Sequence, residues 1–113
     1  MGGHTLRVLV DSGSEGCIIS SRIADALQLR THARERPVEI FQADGRKLCV
    51  ADKYVKLRGR LGDCPYKREI TCLVAPIGDD VLLGMSWLHP RNAMVDCGNG
   101  SLLVTELGKR YRI

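Results

Sequence analysis

The stretch LRVLVDSGSEGCII, residues 6–19, decides how this chain is read. Leu6 to Val10 is short, β-branched and almost wholly apolar, the pattern of a buried strand. It breaks at Asp11-Ser12-Gly13-Ser14-Glu15-Gly16, a polar turn with two glycines, and Cys17-Ile18-Ile19 resumes the strand pattern. A carboxylate therefore ends a buried strand. The Ser12 hydroxyl is expected to hydrogen-bond within the loop, and Gly13 lets backbone and ligand approach closely. Alone, the Asp-Ser-Gly triplet is a weak signal, because ordinary Asx-type turns use the same residues.

Outward from this segment, Ser20 or Ser21 can cap a short helix with Ile23 and Leu27 on one face. A linker is expected up to Pro37. Val38 to Phe41 and Lys47 to Ala51 are strand-like, and Ala43-Asp44-Gly45-Arg46 between them contains Asp-Gly, a strong hairpin signal. Val55, Leu57 and Leu61 alternate with Lys56, Arg58 and Arg60, a half-exposed strand. Gly62-Asp63-Cys64-Pro65 turns it into a partner strand, Tyr66 to Val74. Asp79-Asp80 precedes the apolar run Val81-Leu82-Leu83, closed by Gly84. Met85 to His89 suits one or two helical turns before Pro90. Ala93 to Cys97 and Ser101 to Thr105 flank the turn Gly98-Asn99-Gly100, and Lys109 to Ile113 can add a last strand. Short strands at regular turn spacing predict a mainly β domain with one or two short helices, closed as a barrel or stacked as a sandwich.

The chain of 113 residues is expected to be one domain, 1–113, with Met1-Gly2-Gly3 an appended start. Aromatic residues make up only 4%, so the core must be built from Val, Leu, Ile and Ala. The net charge is +4, but the cations are scattered rather than gathered into a stripe, which points away from nucleic acid as a partner. The five cysteines form no C-x-x-C pair, so no metal site is expected; they read as reduced, mostly buried, intracellular thiols. No apolar run reaches the ~20 residues of a membrane span, and no membrane partner is expected.

Two later features add weight to Asp11: the Asp-Gly hairpin at Asp44-Gly45, and Leu82-Leu83-Gly84 leading into a short helix. In this order the features resemble the retropepsin family of aspartic peptidases. The segments VLVDSGSEGCIIS, FQADGRKLCV and DDVLLGMSWLHPRNAMVDCGNGSLLV look most like the proteases of gypsy-type LTR retrotransposons and the retroelement-derived cellular proteins related to them. The last segment is the most specific, with Gly84, Trp87, Leu88, Asn92, Ala93 and Asp96 at matching spacing. The resemblance runs from Leu6 to about Val104.

That resemblance implies an acid-protease β-barrel working as a two-fold homodimer, without a cofactor, on polypeptide substrates such as its own Gag-Pol polyprotein. It implies a cytoplasmic setting, possible within retroelement particles. Asp11 would be the catalytic carboxylate, in an active-site loop with Ser12 and Gly13. Gly13, Ser14 and Glu15 would hydrogen-bond the extended substrate. Ala43, Asp44 and Gly45 would form the flap tip that closes over it. Leu83 and Gly84 would support the loop from behind. Phe41, Val50 and Leu82 are candidate pocket walls, with core packing the plainer reading of each. Aspartic peptidases need two carboxylates sharing a proton, and this chain has one Asp-Ser-Gly loop, so two copies would have to meet about a two-fold axis.

The sequence departs from the retroviral pattern in two places. Only ten residues precede Asp11, and Met85-Ser86-Trp87 stand where retroviral enzymes carry an Arg after the apolar-apolar-Gly segment. A shortened N-terminus leaves the hairpin after Asn92 to supply the dimer interface. Three rival readings remain: a serine hydrolase built on Ser12-Gly13-Ser14-Glu15-Gly16, which lacks the first glycine of the nucleophile elbow; a thiol peptidase using Cys17 with His4, His32 or His89; and a catalytically silent dimerisation or binding module.

Overall fold

The computed structural model describes residues 3–62 and 67–113. The first strand, β1 (Val8–Val10), and the second, β2 (Ile18–Ser20), are consecutive in the chain but not neighbours in the sheet. Between them lies β6 (Val81–Leu83), parallel to β1 through Val10↔Leu83 and antiparallel to β2 through Ile18↔Leu82. The loop joining β1 to β2 must therefore arch over the C-terminal end of β6, a gap of two strand spacings, about 9–10 Å. This crossing places Asp11 against Gly84.

The six-stranded sheet runs β1-β6-β2-β5-β4-β3, where β3 is His32–Phe41, β4 is Lys47–Gly59 and β5 is Arg68–Ala75. A second sheet, β7-β8-β9, comprises Met94–Asp96, Ser101–Glu106 and Lys109–Arg112. The helices are short: α1 (Ser21–Ala26), α2 (Met85–Leu88) and a 3-10 turn at His89–Arg91. Among the described residues the ladders form two open sheets, and their pairing does not close a barrel. The core lies between them: Ile19, Val55, Leu57, Cys72, Val81 and Leu83 of the large sheet pack with Trp87, Leu88, Leu102 and Val104. It is aliphatic with one tryptophan, as the composition required.

Several elements differ from the expectation. The strand foreseen over Leu6–Val10 is shorter and is not buried on both faces. Val8 and Val10 pack against the core, while Leu9 is 45% exposed, because β1 ends the sheet and only one of its faces is covered. The linker before Pro37 is instead part of β3. Pro37 falls in the register break between Ala33 and Val38 on the outermost strand, where its missing N–H costs no ladder bond. The two runs 47–51 and 55–61 are largely one strand, β4, interrupted in pattern because Lys53 takes the inward phase of the alternation yet is exposed. The helical segment continues through Pro90 as the 3-10 turn. The expected turn at Asp63-Cys64-Pro65 and the start of its partner strand at Tyr66 lie outside the described residues. Of the described cysteines only Cys17 and Cys72 are buried; Cys97 is exposed. Burial pushes the Cys72 thiol up to about 12, with Cys17 beside it a lesser cause.

A buried ionic cluster ties the second sheet to the first. The Arg68 side chain on β5 is 4% exposed, and its Nε donates to Glu106 on β8 at 2.9 Å. Arg91 also donates to Glu106, and its guanidinium lies 4.4 Å from the centre of the Trp87 ring. The Arg68 hydrogen bond is the main reason the Glu106 carboxyl is held below its ordinary range, with Arg91 contributing. A depressed carboxylate contributes stability that is present above its unfolded value and lost as pH falls through the folded value. Docking of the second sheet should therefore persist into mildly acid solution and fail only below it. Glu106→Ala removes the carboxylate that Arg68 and Arg91 share and should cost on the order of 3 kcal/mol. Urea unfolding at several pH values checks both points: the variant should be less stable at neutral pH and lose part of the acid dependence. Equal stability would show that the cluster does not hold the sheets together.

Candidate active site

The residues around Asp11 are held almost entirely by backbone. The Asp11 N–H donates to the Leu83 carbonyl at 2.9 Å, extending the β1–β6 ladder by one bond. The Ser14 N–H donates back to the Asp11 carbonyl at 3.2 Å and the Gly13 N–H donates to Asp11 Oδ1 at 2.9 Å. One carboxylate oxygen is thus fixed by the loop, and Asp11 is half-buried in the single chain. From the other side, Met85 N–H donates to the Ser14 carbonyl and Ser86 N–H to the Glu15 carbonyl, each at 2.7 Å. The first turn of α2 is therefore the clamp on the loop.

Gly84 makes that clamp possible. A Cβ at this position would stand 2.2 Å from the Gly16 oxygen and 2.7 Å from the Ser14 oxygen. Its backbone is extended, so contact and not conformation demands glycine here. The loop hydroxyl that bonds locally is Ser14, whose Oγ donates to the Gly16 carbonyl at 2.8 Å. Ser12, expected in that role, is exposed and makes no such bond; it lines a groove of about 310 Å³ together with Val10, Met85, Leu88, Asn92 and Val95. Met85, Ser86 and the groove residues were not foreseen. Met85 and Ser86 act through backbone N–H groups, which leave no mark in side-chain identity.

Residues 7–108 match the family model described as the PEG10/RTL1 protease domain. The chain belongs to the PEG10/RTL1 protease domain family. This family is retroelement-derived and gypsy-like, as the resemblance implied. The chain is also similar in structure to the retroviral protease-like domain of Ddi1 from Leishmania major, with a TM-score of 0.53 at 19% identity, over 90% of this chain and 80% of that chain. At that identity the likeness speaks for the fold, which is retropepsin-like. Sequence comparison with curated proteins finds no match.

Other features of this PEG10/RTL1-type domain bear on the site. The hairpin between β3 and β4 turns at Gln42-Ala43-Asp44-Gly45, with Gly45 N–H donating to the Gln42 carbonyl at 2.9 Å. Gly45 has φ +87°, the left-handed region expected of it, and the register shifts between Ile40 and Phe41, the pattern of a type I turn followed by a bulge. Asp44 accepts the Arg46 N–H at 2.9 Å, so its carboxylate shapes the tip. Phe41 and Val50 are 57% and 47% exposed, which removes the core-packing reading for both. Leu82 is half-buried in β6. Asn92 takes a left-handed φ of +46°, tolerated by Asn, where the 3-10 turn hands over to β7. Asp96 accepts bonds from Asn99 and Arg112, which close the β7–β8 turn and tie in β9. Both motif residues are thus structural.

The rivals fare poorly. Cys17 is 3% exposed, and its sulfur lies 3.6 Å from Ser86 Oγ, a hydroxyl and not an imidazole. Ser12 has no general base bonded to it among the described residues.

Proposed function

We propose that this chain is one subunit of a homodimeric aspartic endopeptidase in which the Asp11 residues of two copies form the dyad. The observation that carries the reading is the Asp11 loop, clamped by α2 across Gly84 in a family of protease domains. Two carboxylates brought this close cannot both ionise readily and share one proton. The ionised one takes a proton from a water, which attacks the substrate carbonyl; the protonated one donates to the carbonyl oxygen. Gly13, Ser14 and Glu15 lie along the loop, suited to binding an extended peptide, and Ala43, Asp44 and Gly45 would close over it. Polyprotein substrates of Gag-Pol type fit a retroelement-derived protease.

Exposed apolar side chains support the dimer. Leu9 of β1 and Met94 and Val95 of β7 are 45%, 53% and 64% exposed, and β7 is an end strand of its sheet. Val95 also lines the groove beside Ser12. A second copy seated on this face covers apolar side chains and brings its own Asp11 to the same place. Hydrolysis per chain should therefore rise with protein concentration and level off, in step with a monomer–dimer equilibrium followed by sedimentation. Val95→Asp should move both midpoints at least about tenfold higher, because a charge would be buried without a partner. Full activity from a monomer at high dilution would overturn the proposal. A concentration-dependent dimer without hydrolysis would leave the silent dimerisation module standing.

A further inference from the structure

One face of the large sheet carries a row of apolar and aromatic side chains that crosses all six strands. The registers pair Leu9 with Leu82, Leu82 with Ile18, Ile18 with Leu73, Leu73 with Tyr54 and Tyr54 with His32. Side chains directly opposite in a ladder share a face, with Cβ atoms about 4.5–5.5 Å apart. The chain neighbours of these residues, among them Val10, Leu83, Ile19, Cys72 and Val55, pack in the core, so the row faces away from it. Ile18 in the middle is 7% exposed, while Leu82, Leu73, Tyr54 and His32 are half-buried. At the far end the rings of His32 and Tyr54 stack with their centroids 5.1 Å apart. Polar residues flank that end in the same phase: Asp52 and Lys56 on β4, and Thr71 opposite Lys56.

The near end of the row meets the candidate site. Asp11 lies two residues beyond Leu9, and its N–H continues the β1–β6 ladder, so its carboxylate leaves on the face of the row. Leu73 Cδ1 lies 3.9 Å from where a Cβ on Gly16 would stand, so the row also runs up to the end of the Asp11 loop. From β1 to β3 is five strand spacings, about 24 Å, or roughly seven residues of extended peptide. We propose that a peptide held at Asp11 continues across this row and sets an aromatic side chain against the His32–Tyr54 pair, about seven residues away. This subsite presupposes that the Asp11 loop is a peptide site. The chemistry of the surface gives the class of substrate. An apolar stretch seats on Leu82, Ile18 and Leu73, and a further ring makes an offset or edge-to-face contact with the stacked pair. In a two-fold dimer each copy carries one row, so both ends of a peptide are served.

Fluorescence anisotropy on the full chain carrying Asp11→Asn tests this without cleavage. The probe is a labelled peptide of about sixteen residues with an apolar centre and Phe at both ends, long enough to reach the pair on each side. It should bind about tenfold more tightly than the same peptide ending in Ser. A version of about ten residues should gain little from its Phe ends, because they fall short of the pair. His32→Ala with Tyr54→Ala should remove the preference, while Tyr54→Phe should keep it. Should the double variant fail to fold, His32→Ala alone, on the outermost strand, should weaken the preference. Equal affinity of the Phe and Ser peptides, an equal gain in the short peptide, or a preference unmoved in the folded variant would overturn the subsite. So would a dimerisation midpoint raised about tenfold by that variant, since a second copy would then be what covers the row. Hydrolysis by the unaltered chain is measured separately. Phe preference without hydrolysis sinks the peptidase reading alone, and hydrolysis without Phe preference sinks this subsite alone.

Discussion

Asp11→Asn should abolish peptide hydrolysis, by at least about 10³-fold, while the chain folds and associates as before. The magnitude follows from what is removed. General acid and base steps each contribute about 10²–10⁴ in rate, and one substitution in a homodimer deletes both groups at once. The fold should survive because the bond the carboxylate makes is one that an amide oxygen also accepts: Gly13 N–H to Oδ1 at 2.9 Å. The half-buried position leaves no buried charge whose loss would relax the loop. Hydrolysis by the unaltered protein should fall once both carboxylates ionise, giving an optimum on the acid side of neutrality. Residual hydrolysis in Asp11→Asn at the unaltered rate, blocked by a thiol or serine reagent, would move the chemistry elsewhere. Dimerisation lost with activity would mean that Asp11 holds the interface and would leave its chemical role undecided between the two.

How far the sequence can be read depends on where its signals come from. Asp11-Ser12-Gly13, Asp44-Gly45 and Gly98-Asn99-Gly100 are local: each turn is written in the residues that make it, and each turn lies where it was expected. Leu82-Leu83-Gly84 was legible as a strand and its stop. What no window of sequence reveals is that β6 passes between β1 and β2, because the pairing joins residues some seventy positions apart. The Arg68–Glu106 cluster, 38 residues apart, was invisible for the same reason, and Glu106 in a half-buried strand looks like any surface carboxylate. Leu9 misled in the opposite direction. An all-apolar run reads as a strand buried on both faces, yet β1 is an end strand whose outward leucine has no partner in the single chain. That error is informative, since Leu9, an exposed apolar side chain, lies two positions from Asp11. Ser12 and Ser14 are equivalent by composition, and only the geometry of the loop assigns the local hydrogen bond to Ser14.

Gly84→Ala should damage both stability and activity, although it adds a single methyl group. An alanine Cβ here would overlap the Gly16 oxygen at 2.2 Å, with the Gly16 carbon and the Ser14 oxygen both at 2.7 Å. All three are backbone atoms, so no rotamer change relieves the contact. The loop must retreat from α2, and retreat stretches the two 2.7 Å bonds from Met85 and Ser86. Overpacking of this kind costs about 1–3 kcal/mol and each lost hydrogen bond about 1 kcal/mol more, so a loss of roughly 3 kcal/mol is expected. Activity should fall further than stability. A displacement near 1 Å at a reacting group costs on the order of 10²-fold, and Asp11 moves with the loop. Gly45→Ala is the informative contrast: φ is +87° there, but nothing lies within 4 Å of the added carbon. That variant pays only backbone strain of about 1 kcal/mol. Chemical denaturation and hydrolysis of both variants, the latter measured where each is fully folded, separate the two effects. If Gly84→Ala matched Gly45→Ala in stability and cleaved normally, the clamp of α2 on the Asp11 loop would not be what holds the carboxylate in place.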